Sequence, residues 1–176
     1  MKAMAGLLGA AFNSAAVSLL YAWGQNTGGR TSVTPNDNDI FARVDGLVNS
    51  TISSPVQVGS LKWNSVSSSE LHTLAIRSDG LLFAFGSDYG GELGIKNRAL
   101  PNIVREDLNF SKVVYSTSNS LSTDRDITCL GLTTNGDYYI WGRMVSDQEP
   151  KVTPVLEASE VIDIAAGSSC LFYTLS

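Results

Sequence analysis

Apolar residues in this chain come in short runs separated by Gly, Asn, Asp, Ser and Pro, and no 3.6-residue stripe is sustained. Three runs are alike: Leu20-Tyr21-Ala22-Trp23-Gly24, Leu82-Phe83-Ala84-Phe85-Gly86 and Tyr138-Tyr139-Ile140-Trp141-Gly142, their last glycines roughly 60 residues apart. Before the second and third stand turn pairs, Asp79-Gly80 and Asn135-Gly136, which suit the positive φ of a tight hairpin. Before each turn lies another apolar run, His72 to Ile76 and Thr128 to Leu132, and Ser169 to Thr174 repeats it at the end of the chain. A second pair of strands recurs between these hairpins. Its first member follows Pro55, Pro101 or Pro154, and its second is Trp63 to Val66, Phe110 to Val114 or Val161 to Gly167.

Each period therefore holds about four short strands, which is the pattern of a β-propeller blade. The fold class expected is all-β, with propeller-type repeats forming three four-stranded blades, a partial propeller. The repeats run over about 20–81, 82–137 and 138–176. Residues 1–19 are rich in Ala, Gly and Leu. They read as a short N-terminal helix or arm packed on the body of the chain or on a neighbour, in preference to a secretory signal. Their apolar stretch is broken by Asn13 and Ser14, short of the ~20 apolar residues that span a bilayer, so no membrane span is expected.

The order Pro55-Val56-Gln57-Val58, His72-Thr73-Leu74-Ala75-Ile76, Ser78-Asp79-Gly80, Leu82-Phe83-Ala84-Phe85-Gly86 and then Gly90-Gly91-Glu92-Leu93-Gly94 resembles the regulator of chromosome condensation repeat family, in a phage or bacterial type. The resemblance covers roughly residues 19–175. It implies a ring of about seven blades, of which this chain supplies a part. The first repeat departs from the pattern at Arg30, and the third carries Arg143-Met144-Val145-Ser146 where the glycine-rich loop would stand.

Composition narrows the functional classes. Net charge is −5, and the twelve Lys and Arg are scattered singly, so a phosphate-binding surface is disfavoured and no nucleic-acid partner is expected. One His and two Cys without a CxxC pair cannot build a zinc site. Asn36-Asp37-Asn38-Asp39 lacks the glycine and distant glutamate of a calcium loop and reads as a solvated turn. No catalytic, metal or cofactor site is expected, and no cofactor. His72 is expected to make a structural hydrogen bond. Trp23, Phe85 and Trp141 are expected to pack between blades. Cys129 and Cys170 are read as equivalent positions in neighbouring blades, free and buried.

The repeat positions Trp23, Gly24, Pro55, His72, Asp79, Gly80, Phe85, Gly86, Pro101, Asn135, Gly136, Trp141, Gly142 and Pro154 are thus structural. The function expected is a non-enzymatic structural or interaction protein, specifically a phage virion component on the tail or decorating the capsid. The alternative that the resemblance implies is a regulatory, exchange-factor-like module for a small GTPase. Open sheet edges point to copies of the chain itself, or other subunits of a larger assembly, as partners.

Overall fold

The computed structural model describes residues 4–8, 18–25, 51–58, 60–69, 72–86, 88, 91–95, 103–117, 127–143, 149–167 and 170–176. These residues are all-β, and no helix among them is long and apolar enough to cross a membrane. Among these residues twelve strands are formed: β1 Met4–Leu8, β2 Leu19–Gln25, β3 Thr51–Gln57, β4 Trp63–Ser68, β5 His72–Arg77, β6 Leu82–Gly86, β7 Phe110–Thr117, β8 Ile127–Thr133, β9 Tyr138–Gly142, β10 Lys151–Ala158, β11 Val161–Gly167 and β12 Cys170–Leu175. Pro101, the Asn36–Asp39 turn and the segment Met144–Ser146 lie outside the described residues.

The strands pair antiparallel in four sheets, ordered β1-β2-β3, β4-β5-β6, β7-β8-β9-β10 and β11-β12. The third is a complete four-stranded blade. The second gains a partial fourth strand through a bridge from Phe83 to Ile103. The fourth has only the first two strands of the pattern, and in the first β2 and β3 match β9 and β10. The architecture is thus a partial propeller of repeating blades.

Period-two alternation explains the packing, because successive side chains of a strand serve the blades on either side. Leu74 and Ile76 of β5 pack forward with Phe110, Cys129 and Trp141, whereas Ala75 packs back with Leu20, Ala22 and Trp63. A third cluster joins Leu130, Leu132 and Tyr138 to Val161 and Ile164. Backbone bonds repeat with the blades. Trp63, Phe110 and Val161 each donate an amide proton across a blade boundary, to the carbonyls of Ser18, Gly80 and Gly136. Asp79-Gly80 and Asn135-Gly136 sit in three-residue hairpins, closed by Arg77 N–H to Leu81 O at 2.8 Å and Thr133 N–H to Asp137 O at 2.9 Å.

Four expectations change in detail. Of the helix or arm expected near the N-terminus, residues 4–8 form a strand arm. β1 pairs with β2 from Met4 opposite Trp23 to Leu8 opposite Leu19, and so satisfies an edge that would otherwise be open. β2 therefore has a partner within its own chain. Pro55 and Pro154 do not precede their strands but lie within β3 and β10. Both are outermost strands, and both prolines fall where the register shifts, so their missing N–H breaks no ladder. Both cysteines are free, but only Cys129 is buried; Cys170 is exposed because no third strand flanks β12 among the described residues.

Candidate functional site

The repeated aromatic–glycine pair ends β2, β6 and β9. Gly24, Gly86 and Gly142 have φ of 111°, 111° and 89°, a conformation in which an L side chain is strained. At Gly142 a Cβ would also overlap the Ile127 carbonyl, so the glycine closes the strand against its neighbour. Trp141 is fully buried. It stands edge-on to Phe110 at 6.3 Å and donates its indole N–H to the Glu92 carbonyl of the preceding blade at 3.0 Å. Phe85 is buried edge-on to Trp63 at 6.3 Å. Trp23 is only half-buried, since the blade that would face it is not part of the described structure.

Between the second and third sheets the structure assembles a polar chain that the sequence reading does not bring together. Ser69 Oγ lies 3.0 Å from His72 Nδ1 and accepts the His72 amide at 3.0 Å. His72 Nε2 lies 3.6 Å from Cys129 Sγ, and the thiol donates to the Glu92 carbonyl at 3.3 Å. A Cys–His pair serves nucleophilic chemistry through the thiolate, which forms when the imidazole takes the thiol proton. Here burial opposes both ionisations. It lowers the His72 pKa to about 4, and it pushes the Cys129 thiol well up, with the Glu92 and Asp88 carboxylates adding to the rise. Both groups are neutral at pH 7, and the cluster is a hydrogen-bonded seam between blades. The available signal was strand parity: register places His72 level with Thr128, one residue before Cys129, so the two side chains point at each other across the boundary.

The same register corrects the pairing of the cysteines. Gly167 faces Cys170 and Ser116 faces Thr128, so Cys170 matches Thr128 and His72, while Leu171 matches Cys129. Cys170, Phe172 and Thr174 therefore point away from the third sheet, and Leu171 and Tyr173 point toward it.

The open surface lies at this end. Phe172 is 61% and Tyr173 51% exposed, and Leu175 and Ile162 are exposed with them. Between β9, β10 and β12 lies a cleft of about 350 Å³, lined by Tyr138, Ile140, Lys151, Glu157, Ala158, Leu171 and Tyr173. Tyr138 and Tyr173 pack with ring centroids 5.7 Å apart and planes tilted by 31° on one wall, and Lys151 approaches Glu157 at 3.7 Å on another. Burial, and then the nearby Glu157 carboxylate, push the Tyr138 phenol up to about 12. No group of three or more metal-ligating side chains exists among the described residues. This surface offers apolar and aromatic contact, which is the chemistry of protein docking.

No family model matches the chain. It is 31% identical over 134 residues to protein pim1 of Schizosaccharomyces pombe, covering 70% of this chain and 23% of that protein. It is 30% identical over 162 residues to the E3 ubiquitin-protein ligase HERC2 of Mus musculus, covering 85% of this chain and 3% of that one. Prp20p from Saccharomyces cerevisiae, studied for its binding to Gsp1p and histones, superposes with a TM-score of 0.64 at 17% identity, over 85% of this chain and 38% of Prp20p. Yeast RCC1 (Prp20), solved with Kap60, gives 0.62 at 17% identity, over 87% and 37% of the two chains. The fold is that of RCC1-like propeller repeats. The chain spans less than a quarter of the curated relatives and well under half of the solved ones.

Proposed function

We propose that this chain is a protein-interaction module whose partner is a small GTPase, acting in the manner of an exchange factor. The observation that carries this reading is the ordered match of its repeats to pim1, together with the superposition on Prp20p, a protein studied for its binding to Gsp1p. Two features of the chain agree with it. The one Cys–His pair is held neutral and buried, and the exposed aromatic surface at β12 suits a protein partner. The relatives are yeast and mammalian proteins, and they lend the virion-subunit expectation and its phage or bacterial type no support.

The test is direct binding and exchange. Gsp1p carrying a fluorescent GDP analogue is mixed with the chain, and nucleotide release is followed against excess GTP. The expected result is saturable binding, tighter to nucleotide-free than to GDP-loaded Gsp1p, with faster release. Absence of binding to either form overturns the GTPase reading.

A further inference from the structure

We infer that Asn135 is a site of spontaneous covalent modification: in the folded chain it loses its side-chain nitrogen, and the product loosens the boundary between the third sheet and β11. The reaction needs an asparagine whose side-chain carbon is free to meet the next backbone nitrogen, with no side chain on that next residue to obstruct the approach. Asn135-Gly136 is the one Asn-Gly pair in the sequence. Gly136 has φ of 84°, and a Cβ there would meet the Val161 carbonyl at 3.3 Å. The hairpin thus demands the same glycine that makes its neighbour reactive. Asn135 is exposed, and its side chain holds no hydrogen bond among the described residues.

The equivalent hairpin one blade earlier is guarded. Arg77 grips the Asp79 carboxylate with two nitrogens at 2.6 to 3.0 Å, and that carboxylate also accepts the Leu81 amide at 3.3 Å. An ionised carboxylate is moreover a poor electrophile. The Gly80 N–H is bonded to the Arg77 carbonyl at 2.9 Å, whereas the Gly136 N–H reaches the Thr133 carbonyl at 3.2 Å, so the nitrogen beside Asn135 is the less firmly held. The other described asparagines are also restrained. Asn64 lies within β4, donates to the Ser78 carbonyl at 3.4 Å and is followed by Ser65; Asn109 is followed by the bulky Phe110.

The chemistry needs only water. Gly136 N gives up its proton to hydroxide and bonds to Asn135 Cγ. The Cγ–Nδ2 bond breaks, and the nitrogen takes a proton from water and leaves as ammonia, which restores the hydroxide and leaves a cyclic imide. Water then opens the ring at either carbonyl, giving an aspartate or an isoaspartyl linkage whose main chain is one carbon longer. That length matters at this turn. The Gly136 carbonyl accepts the Val161 amide at 2.9 Å, and the Thr134 amide donates to the Asn109 carbonyl at 2.9 Å, so the hairpin is tied to the strands on both sides. A carbon inserted between these ties moves the Gly136 carbonyl off Val161 and breaks the bond that couples β11 to the third sheet. Either product also adds a carboxylate beside Asp137 and Glu160, and Glu160 already holds a left-handed backbone with φ of 63°.

The test ages the full chain in mildly alkaline buffer and maps it after tryptic digestion, with an unaged sample carried through the same digestion as the zero. Asn135 is the only asparagine of the peptide 126–143, and Asn64 the only one of 63–77. The expected result is that 126–143 gains the mass of an oxygen-for-NH exchange well before 63–77, and resolves into two products. One of these accepts a methyl group from a protein-isoaspartate methyltransferase. Hydrogen exchange at the Val161 amide is expected to quicken in the same aged sample. Asn135→Gln closes the corresponding ring poorly, and should lose both changes. Mass gain in 126–143 no faster than in 63–77 overturns the inference. So does a chain modified at Asn135 whose Val161 proton exchanges at the unaged rate.

Discussion

Gly131 sits in the middle of β8, and the structure assigns it a packing task that substitution can measure. A Cβ there would lie 2.6 Å from Phe110 Cε1 and 3.0 Å from Trp141 Cζ3, both on buried rings. Both rings are fixed by neighbours, Trp141 by its bond to the Glu92 carbonyl and Phe110 by its edge contact with Tyr139 at 6.3 Å. Gly131→Ala therefore overpacks the seam, at a cost of ~1–3 kcal/mol. Alanine recovers ~0.5–1 kcal/mol of the backbone entropy that glycine loses in a strand. The net loss expected is about 1–2 kcal/mol, which lowers Tm by ~2–8 °C in a chain of this size. Thermal unfolding followed by near-ultraviolet circular dichroism measures it. Phe110→Leu frees space at the same point, so in the double variant the two losses should sum to less than their separate values, by about 1 kcal/mol. An unchanged or raised Tm for Gly131→Ala, or simple additivity with Phe110→Leu, would refute the contact.

The remaining predictions concern the polar seam and the thiols. With its folded pKa lowered to about 4 from an ordinary 6.5, His72 favours folding above pH 6.5, and that contribution fades as pH falls toward 4, by about 3 kcal/mol in all. Urea melts of His72→Gln should lose this slope between pH 6.5 and 4, and an unchanged slope would mean that His72 is not the titrating group. A thiol reagent should modify Cys170 within minutes and Cys129 only after denaturation, and equal rates would contradict the burial of Cys129. Trp141→Phe leaves the Glu92 carbonyl short of an indole donor and opens space beside Phe110, and should destabilise by ~1–3 kcal/mol in chemical denaturation.

The strands were largely legible in the sequence, because hairpin turns and apolar alternation are local signals. The spans Leu82–Gly86, Tyr138–Gly142 and Val161–Gly167 match their strands to the residue. What was not legible depends on partners distant in the chain. Aligning Cys170 with Cys129 follows the shared Cys-Leu pair, yet hydrogen-bond register shifts the match by one residue and turns each side chain to the other face. The His72–Cys129 contact follows from the alignment of His72 with Thr128, but only once strand parity is read across the boundary between two blades, which are partners distant in the chain. Met4–Leu8 forms a strand because β2 offers it an edge, which no propensity of those five residues encodes. Pro55 and Pro154 flagged a strand beside them but not the strand residues before them, because a proline is tolerated inside an outermost strand at a register shift.

The amide-to-carbonyl links that join Trp63 to Ser18, Phe110 to Gly80 and Val161 to Gly136 are the same bond made three times. Each blade therefore meets its neighbour through a standard coupling, and the free energy of the array approaches a nearest-neighbour sum. Such an array has no single nucleus and no single point of failure. It melts inward from its least coupled end, and among the described residues that end is the pair β11-β12, held on one side only. A gene encoding such units can gain or lose one whole blade without redrawing any junction, so length variation in multiples of a blade is the evolutionary path this coupling leaves open.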